Sequence, residues 1–425
     1  MKLVAKTYWQ GSPVHFRRPP RDAAAEPLVL HAHDGAELRG LWWTPKNNPN
    51  PRVAVLAMHP RADFTQHYIF PALLDAGYGC LGANTRSPNN DSATLHEVIL
   101  LDVAAAVRFL KRRGVEKVLF IGNSGGGSLG AFYQNQAKLA PAERLSHAPG
   151  GRRVPLRDAE MPAFDAMIFL AAHLGEGHML LDLVDPAVVD EARPLLSDPD
   201  LDMYQARNGF RPPPEWSEYG PEFVTRYRAA QRARVARIDA AALAMLDEAK
   251  QAKKLNDDAD FQKLPYDQRR EVLRREAFQP MMTIYRTMAN LAYVDRRIDP
   301  SNRPYGSILS ERPDLMNFQL FGFGRLATPL AWLSTWSGLS SNATIERTAL
   351  NITEPALVVN AGRDMDVFPK DARAIHHALA STDKTLEEFP DALHYFEAPW
   401  GSRDTSDLDA LVGKLLPWVQ SRLPL

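Results

Sequence analysis

The sequence predicts an α/β fold: a mostly parallel central sheet flanked by helices, with a large and mainly α-helical insertion. Three observations predict it. Short, wholly apolar runs alternate with helical patterns in the first third of the chain. One of these runs leads directly into Gly122-Asn123-Ser124-Gly125-Gly126, and a helical pattern follows it. The alternation stops near residue 175 and resumes near residue 350.

The elements follow in order. Residues 28–31 and 37–43 flank Asp34-Gly35, a hairpin turn signal. Residues 53–58 are a continuous apolar run of the buried-strand type, ending in His59-Pro60-Arg61-Ala62. A helix is expected over 66–76 and a strand over 79–84, where Cys80 reads as a small core hydrophobe. Residues 92–113 place Leu95, Val98/Ile99, Asp102/Val103, Ala106 and Leu110 on one helical face, and Gly114 stops it. Residues 118–121 are a strand, 129–139 a helix and 163–170 a buried strand. Late in the chain come a strand over 356–361, a helix over 370–379, a strand over 386–389 and a closing helix over 407–422.

Between 175 and 349 no such strand is expected. Val224, Tyr227, Val235, Ile238, Ala242 and Met245 form one helical stripe, interrupted by Gln231 and surrounded by Arg226, Arg228, Arg232, Arg234 and Arg237. Met281, Tyr285, Met288 and Leu291/Ala292 form a second. The expected organisation is a core in two parts, 1–174 and 350–425, with an insertion over 175–349.

Composition removes several function classes. Fifty Lys+Arg against fifty-one Asp+Glu exclude the globally basic surface that non-specific nucleic-acid binding needs. A single cysteine excludes an intrachain disulfide and a cysteine-based zinc cluster. The most apolar later stretch, 318–336, contains Gln319, Arg325 and Pro329, so no membrane span is expected. No targeting segment follows Lys6, and the cytoplasm is the expected location.

The pentapeptide fits G-x-S-x-G, which presents a serine hydroxyl on a sharp strand-to-helix turn. A hydroxyl is a weak nucleophile and needs a base, and the base needs an acid to orient it. Past Ser124, residues 361–369 follow one strand end and carry Asp364 and Asp366. Residues 390–396 follow the next and carry His394. Ser124 is therefore the expected nucleophile and His394 the base. Asp364 is preferred as acid because it lies nearer the strand end, with Asp366 the alternative. His173 and His178 follow another strand end and, with Glu176, allow a substrate contact or a metal. The H-E-x-x-H spacing is absent, and no metal or other cofactor is expected. Arg61 and Arg86 also follow strand ends, where a guanidinium can fork onto a carboxylate or pair with the insertion. Trp332, Trp336 and Phe323 either line an acyl pocket or pack a helical layer.

Taken together these segments resemble the α/β-hydrolases over about residues 25–172 and 350–425. His59-Pro60-Arg61 is similar to the family's oxyanion loop, with Pro60 in place of glycine. Gly122 to Gly126 is similar to its nucleophile elbow. Ala361 to Pro369 resembles its acid loop, an alignment that also favours Asp364, and Asp391 to Phe396 its histidine loop. The resemblance implies an oxyanion hole formed by the backbone N–H groups of Gly125 and Arg61; His59, in the same loop, is a candidate for substrate binding. It further implies a serine hydrolase acting on a small-molecule carboxylic ester, thioester or amide. The same fold serves acyltransferases and C–C hydrolases, and a catalytically silent binding protein is the reading from a different class. The apolar faces of the insertion allow it to close over the site or to form a homodimer.

Overall fold

A computed structural model describes residues 23–46, 48–90, 92–320, 322–398 and 402–425. Residues 1–22, where no targeting segment is read, lie outside the described residues. Its strands are β1 (Ala23–His31), β2 (Glu37–Pro45), β3 (Val53–Ala57), β4 (Gly79–Ala83), β5 (Lys117–Asn123), β6 (Ala166–Leu170), β7 (Met282–Thr283), β8 (Leu326–Ala327), β9 (Ala356–Ala361) and β10 (Lys384–Phe389). Eight of them form one sheet in the order β1-β2-β4-β3-β5-β6-β9-β10. β2 runs antiparallel to β1 and β4, and every other pairing is parallel.

β3 explains why the strand runs are apolar throughout. Val53, Val55 and Ala57 join one core cluster, with Phe70 and Leu73 of α1 (Phe70–Asp75) and Leu411 and Leu415 of the helix Ser406–Arg422. Ala54, Leu56 and Met58 join the other. Its further members include residues of α2 (His96–Arg112), α3 (Gly125–Lys138) and the helix Pro369–Ala378. Successive strand side chains point to opposite faces, and both faces are covered. Cys80 is fully buried in the first cluster, as expected. This is the mostly parallel sheet, flanked by helices, that the sequence predicts.

Residues 175–349 add no strand to this sheet. Apart from Phe368, a third hydrophobic cluster draws its buried members from this segment, among them Leu180, Tyr227, Ile238, Met288 and Trp332. The segment contains α4 (Glu176–Leu183), the 36-residue α5 (Pro221–Asn256) and the helix Tyr266–Ala277. Much of the rest consists of turns and irregular backbone, so the insertion is less helical than the sequence implies. The stripe on α5 is also more polar than expected. Phe223, Gln231 and Arg234 are buried alongside Tyr227, Val235, Ile238 and Ala242, while Met245 is exposed.

The second expected stripe is not a helix. Met282 and Thr283 pair with Ala327 and Leu326, and Ile284 N–H donates to the Arg325 carbonyl. Met282 and Ile284 are buried while Met281 and Tyr285 are exposed. The 281/285/288 spacing imitates a helical period where a two-residue alternation holds. No described helix is long and apolar enough to cross a membrane.

Candidate active site

The parallel strands deliver their side chains to one edge of the sheet. His59 and Arg61 follow β3, Ser124 follows β5, His173 and Glu176 follow β6, Asp364 and Asp366 follow β9, and His394 follows β10. Sites in open α/β sheets form at these carboxyl ends.

Ser124 occupies a turn that only close backbone approach permits. Its φ is 54° and its ψ −124°, a region that side-chain-bearing residues rarely adopt. Strain of this kind costs about 1–3 kcal/mol and persists where the surroundings enforce it. The surroundings here are Ser124 N–H donating to the Leu170 carbonyl at 3.0 Å and α3 starting at the next residue. A Cβ on Gly122 would stand 2.6 Å from the Gly126 carbonyl oxygen, so glycine is required where the strand and helix meet.

His394 Nδ1 and Asp364 Oδ2 are hydrogen-bonded, and both side chains are buried. The other Asp364 oxygen accepts from Asp366 N–H at 2.9 Å and Val367 N–H at 3.0 Å. These bonds aim the carboxylate at the imidazole. Burial pulls the His394 pKa down, but the Asp364 charge and hydrogen bond outweigh it, so the net direction is upward. Asp366 faces the other way. Its carboxylate accepts from Tyr293 Oη and, at 2.9 Å, from Ile308 N–H, both in the insertion. Burial, reinforced by the Asp364 charge, raises its pKa to about 7.

Beside Ser124 lies a second group of buried polar side chains. Arg61 and Glu176 pair at 2.5 Å, both buried. Burial alone would raise the Glu176 pKa, but Arg61 and the neighbouring imidazoles hold it down at about 2. Burial lowers the pKa of both His59, to well below 6.5, and His173, to about 4; Arg61 adds to this and the Glu176 charge opposes it. A Cβ on Gly125 would meet Glu176 Oε1, His59 Nε2 at 3.0 Å and His173 Nε2 at 3.3 Å. The Arg61 guanidinium also stacks over Trp336 and Phe323 of the insertion, at 5.1 and 5.6 Å from the ring centres.

Several expectations are corrected. The Arg61 backbone N–H, expected in the oxyanion hole, donates to His59 Nδ1 at 3.1 Å. Arg86 is committed to Asp34 at 2.5 Å and Asp102 at 2.6 Å, which leaves its guanidinium no fork to offer a substrate. Trp332 packs inside the insertion and donates to Asp239 at 2.6 Å, so it is a packing residue. His178 is only partly buried; burial lowers its pKa, and its strongest charged neighbours are Asp182 and Glu346. Glu176 pairs with Arg61 and faces His173 Nε2 at 3.9 Å. Among the described residues no three His, Cys, Asp or Glu side chains are grouped to hold a metal.

Sequence reasoning missed Tyr293 and Ile308. Each lies more than fifty residues from Asp366 in the chain, Tyr293 at the end of a short 3-10 turn and Ile308 in irregular backbone, with no motif to mark either.

No family model matches the sequence, and no curated protein matches it. Among solved structures it is similar to the esterase Pf2001 of Pyrococcus furiosus, at 10% identity and a TM-score of 0.44, over 99% of this chain and 98% of that one. It is similar to Est1E from Butyrivibrio proteoclasticus at 13% identity and 0.44, over 94% and 99%. It is also similar to the alpha/beta hydrolase GrgF from Penicillium sp. sh18 at 12% identity and 0.47, over 95% and 100%. With scores below 0.5, these likenesses say nothing of what the site does.

Proposed function

We propose that the chain is a serine hydrolase of carboxylic esters or related acyl compounds, with Ser124 as nucleophile, His394 as base and Asp364 as the acid that orients it. The observation that carries this is a strained serine at the β5–α3 turn on the same edge of the sheet as a buried imidazole–carboxylate couple at the ends of β9 and β10. With Nδ1–H donating to Asp364, His394 Nε2 is left to accept the hydroxyl proton. Ser124 Oγ attacks the carbonyl carbon, the leaving group departs with the proton from His394, and water releases the acyl-enzyme by the same steps. Asp366 is left out of the couple because its oxygens are occupied by Tyr293 and Ile308.

The insertion acts as a cap in this account. Phe323 and Trp336 stack on Arg61, and Tyr293 reaches the acid loop, so the cap is seated next to the nucleophile and limits water around it.

A panel of short- and long-chain aryl esters tests the assignment. Ser124→Ala abolishes turnover. Asp364→Asn lowers kcat by about 10⁴-fold, as expected when the imidazole loses its orienting acid. Asp366→Asn leaves most of the activity. Because His394 is raised above 6.5 and must be neutral to act, kcat/KM rises with pH to a midpoint above that value. Undiminished turnover in Ser124→Ala sinks the proposal, and loss confined to Asp366→Asn moves the acid.

A further inference from the structure

An oxyanion forming at Ser124 needs N–H donors preset around it. The N–H of Gly125, directly after the nucleophile, is one. The Arg61 backbone N–H is turned onto His59 Nδ1, and Ala62 N–H donates to the same nitrogen at 2.9 Å. A ring nitrogen that accepts two N–H groups carries no proton, so the neutral His59 imidazole holds its hydrogen on Nε2. No described residue accepts from Nε2. That atom stands 3.0 Å from the point where a Cβ on Gly125 would lie. The Gly125 nitrogen is roughly 2.5 Å from the same point by backbone geometry. The two nitrogens therefore lie around one point beside Ser124, which Glu176 Oε1 approaches more closely still.

The neighbouring groups leave this place to His59. His173 Nδ1 accepts from Gly175 N–H at 3.2 Å, and its Nε2–H faces Glu176 Oε2 at 3.9 Å. The Glu176 charge is matched by Arg61 at 2.5 Å, so that point is bordered by a neutral pair rather than by a free carboxylate.

We propose that His59 is a catalytic residue whose Nε2–H is the second oxyanion donor, in the place expected for the Arg61 backbone N–H. The proposal rests on the serine-hydrolase function above. When Ser124 Oγ bonds to the carbonyl carbon, the π pair moves to the carbonyl oxygen and His394 takes the hydroxyl proton. The negative oxygen accepts from Gly125 N–H and His59 Nε2–H, and no proton leaves His59. On collapse the pair returns to the carbonyl and the leaving group departs with the proton from His394.

Two amide substitutions separate the two ends of the ring. His59→Asn keeps an oxygen where Nδ1 accepts the loop N–H groups and removes the distal donor. His59→Gln carries an amide N–H toward the Nε2 position and gives up the loop acceptor. Both are measured on an ester that the wild type hydrolyses and Ser124→Ala does not. Finding no such ester overturns the hydrolase function itself, separately from the role of His59. The expected result is a folded His59→Asn with kcat down about 10²–10³-fold and KM changed only a few-fold. An alkyl boronic acid, which forms a tetrahedral adduct on serine, loses affinity in parallel with kcat, and His59→Gln regains part of both. A folded His59→Asn with kcat within about fivefold of wild type overturns the proposal, because His59 then serves only the loop. A comparable kcat loss in His173→Asn with none in His59→Asn overturns it as well.

Discussion

The sheet and the insertion hold together by different means. In the sheet, ladder hydrogen bonds satisfy the backbone, and the strand side chains are free to be apolar; all five residues of β3 and all five of β6 are buried. The insertion has long irregular stretches, whose carbonyls need other partners. Buried arginines supply them. Arg303 donates to the carbonyls of Ala292, Asp295, Ile298 and Asp299. Arg234 donates to those of Asp185, Tyr285 and Arg286, and pairs with Glu191 at 2.7 Å. Arg325 donates to those of Met316 and Asn317. Arg286 pairs with the buried Asp185 at 2.7 Å. Five N–H groups on one planar fork suit a guanidinium to this work better than any apolar side chain. A buried arginine thus does in the insertion what the neighbouring strand does in the sheet.

The sharpest break of this comparison is Arg286→Met. It leaves Asp185 as a buried, uncompensated charge and should cost about 3–5 kcal/mol, as removing one partner of a buried pair does. Ile168→Ala, a fully buried change in β6, should cost about 2–5 kcal/mol through its cavity. Denaturant midpoints of the two variants place them in the same range. A cost below about 1 kcal/mol for Arg286→Met would dissolve the contrast.

Glu176→Gln comes next, with a loss of up to about 3 kcal/mol because it removes the buried carboxylate that pairs with Arg61 at 2.5 Å. Its pH signature is specific. The folded pKa of Glu176 is depressed from 4.5 to about 2, so its stabilisation is present above 4.5 and is lost as pH falls toward 2. The variant lacks that acid-limb component in a midpoint-versus-pH series.

Asp366→Asn gives a smaller effect of opposite sign. The Asp366 pKa is raised from 3.8 to about 7, so the folded state holds a proton that the unfolded chain releases. Its contribution to stability therefore declines as pH rises from about 4 to about 7, and the substitution flattens that decline. A variant with an unchanged slope removes Asp366 from the account. Arg275→Ala marks the floor. Its exposed pair with Glu271 at 3.3 Å should be worth under about 0.5 kcal/mol.

The same contrast explains what the sequence discloses. Sheet strands are legible because burial on both faces writes itself as a continuous apolar run, and residues 356–361 match β9 at both ends. Ser124, Asp364 and His394 are legible because each sits at a fixed place after a strand. The arginine scaffold is not: Arg234 reaches carbonyls about fifty residues away, and on paper it looks like one more charge on a basic helix. Arg86 and Arg61 resemble each other equally as arginines after strand ends. Only the fold sends one to Asp34 and Asp102 and the other to Glu176. The engagement of the Arg61 N–H with His59 is a local loop geometry that no residue type announces.

The central claim, that Ser124 is a nucleophile activated by His394 and Asp364, has one direct measurement. The intact protein is treated with a fluorophosphonate at pH 8 and the adduct is mapped by peptide mass spectrometry. The account predicts a single covalent phosphonate on the peptide containing Ser124, absent from Ser124→Ala and formed far more slowly in His394→Ala. An unlabelled Ser124 in the folded wild type, or an adduct that persists elsewhere in Ser124→Ala, would contradict it.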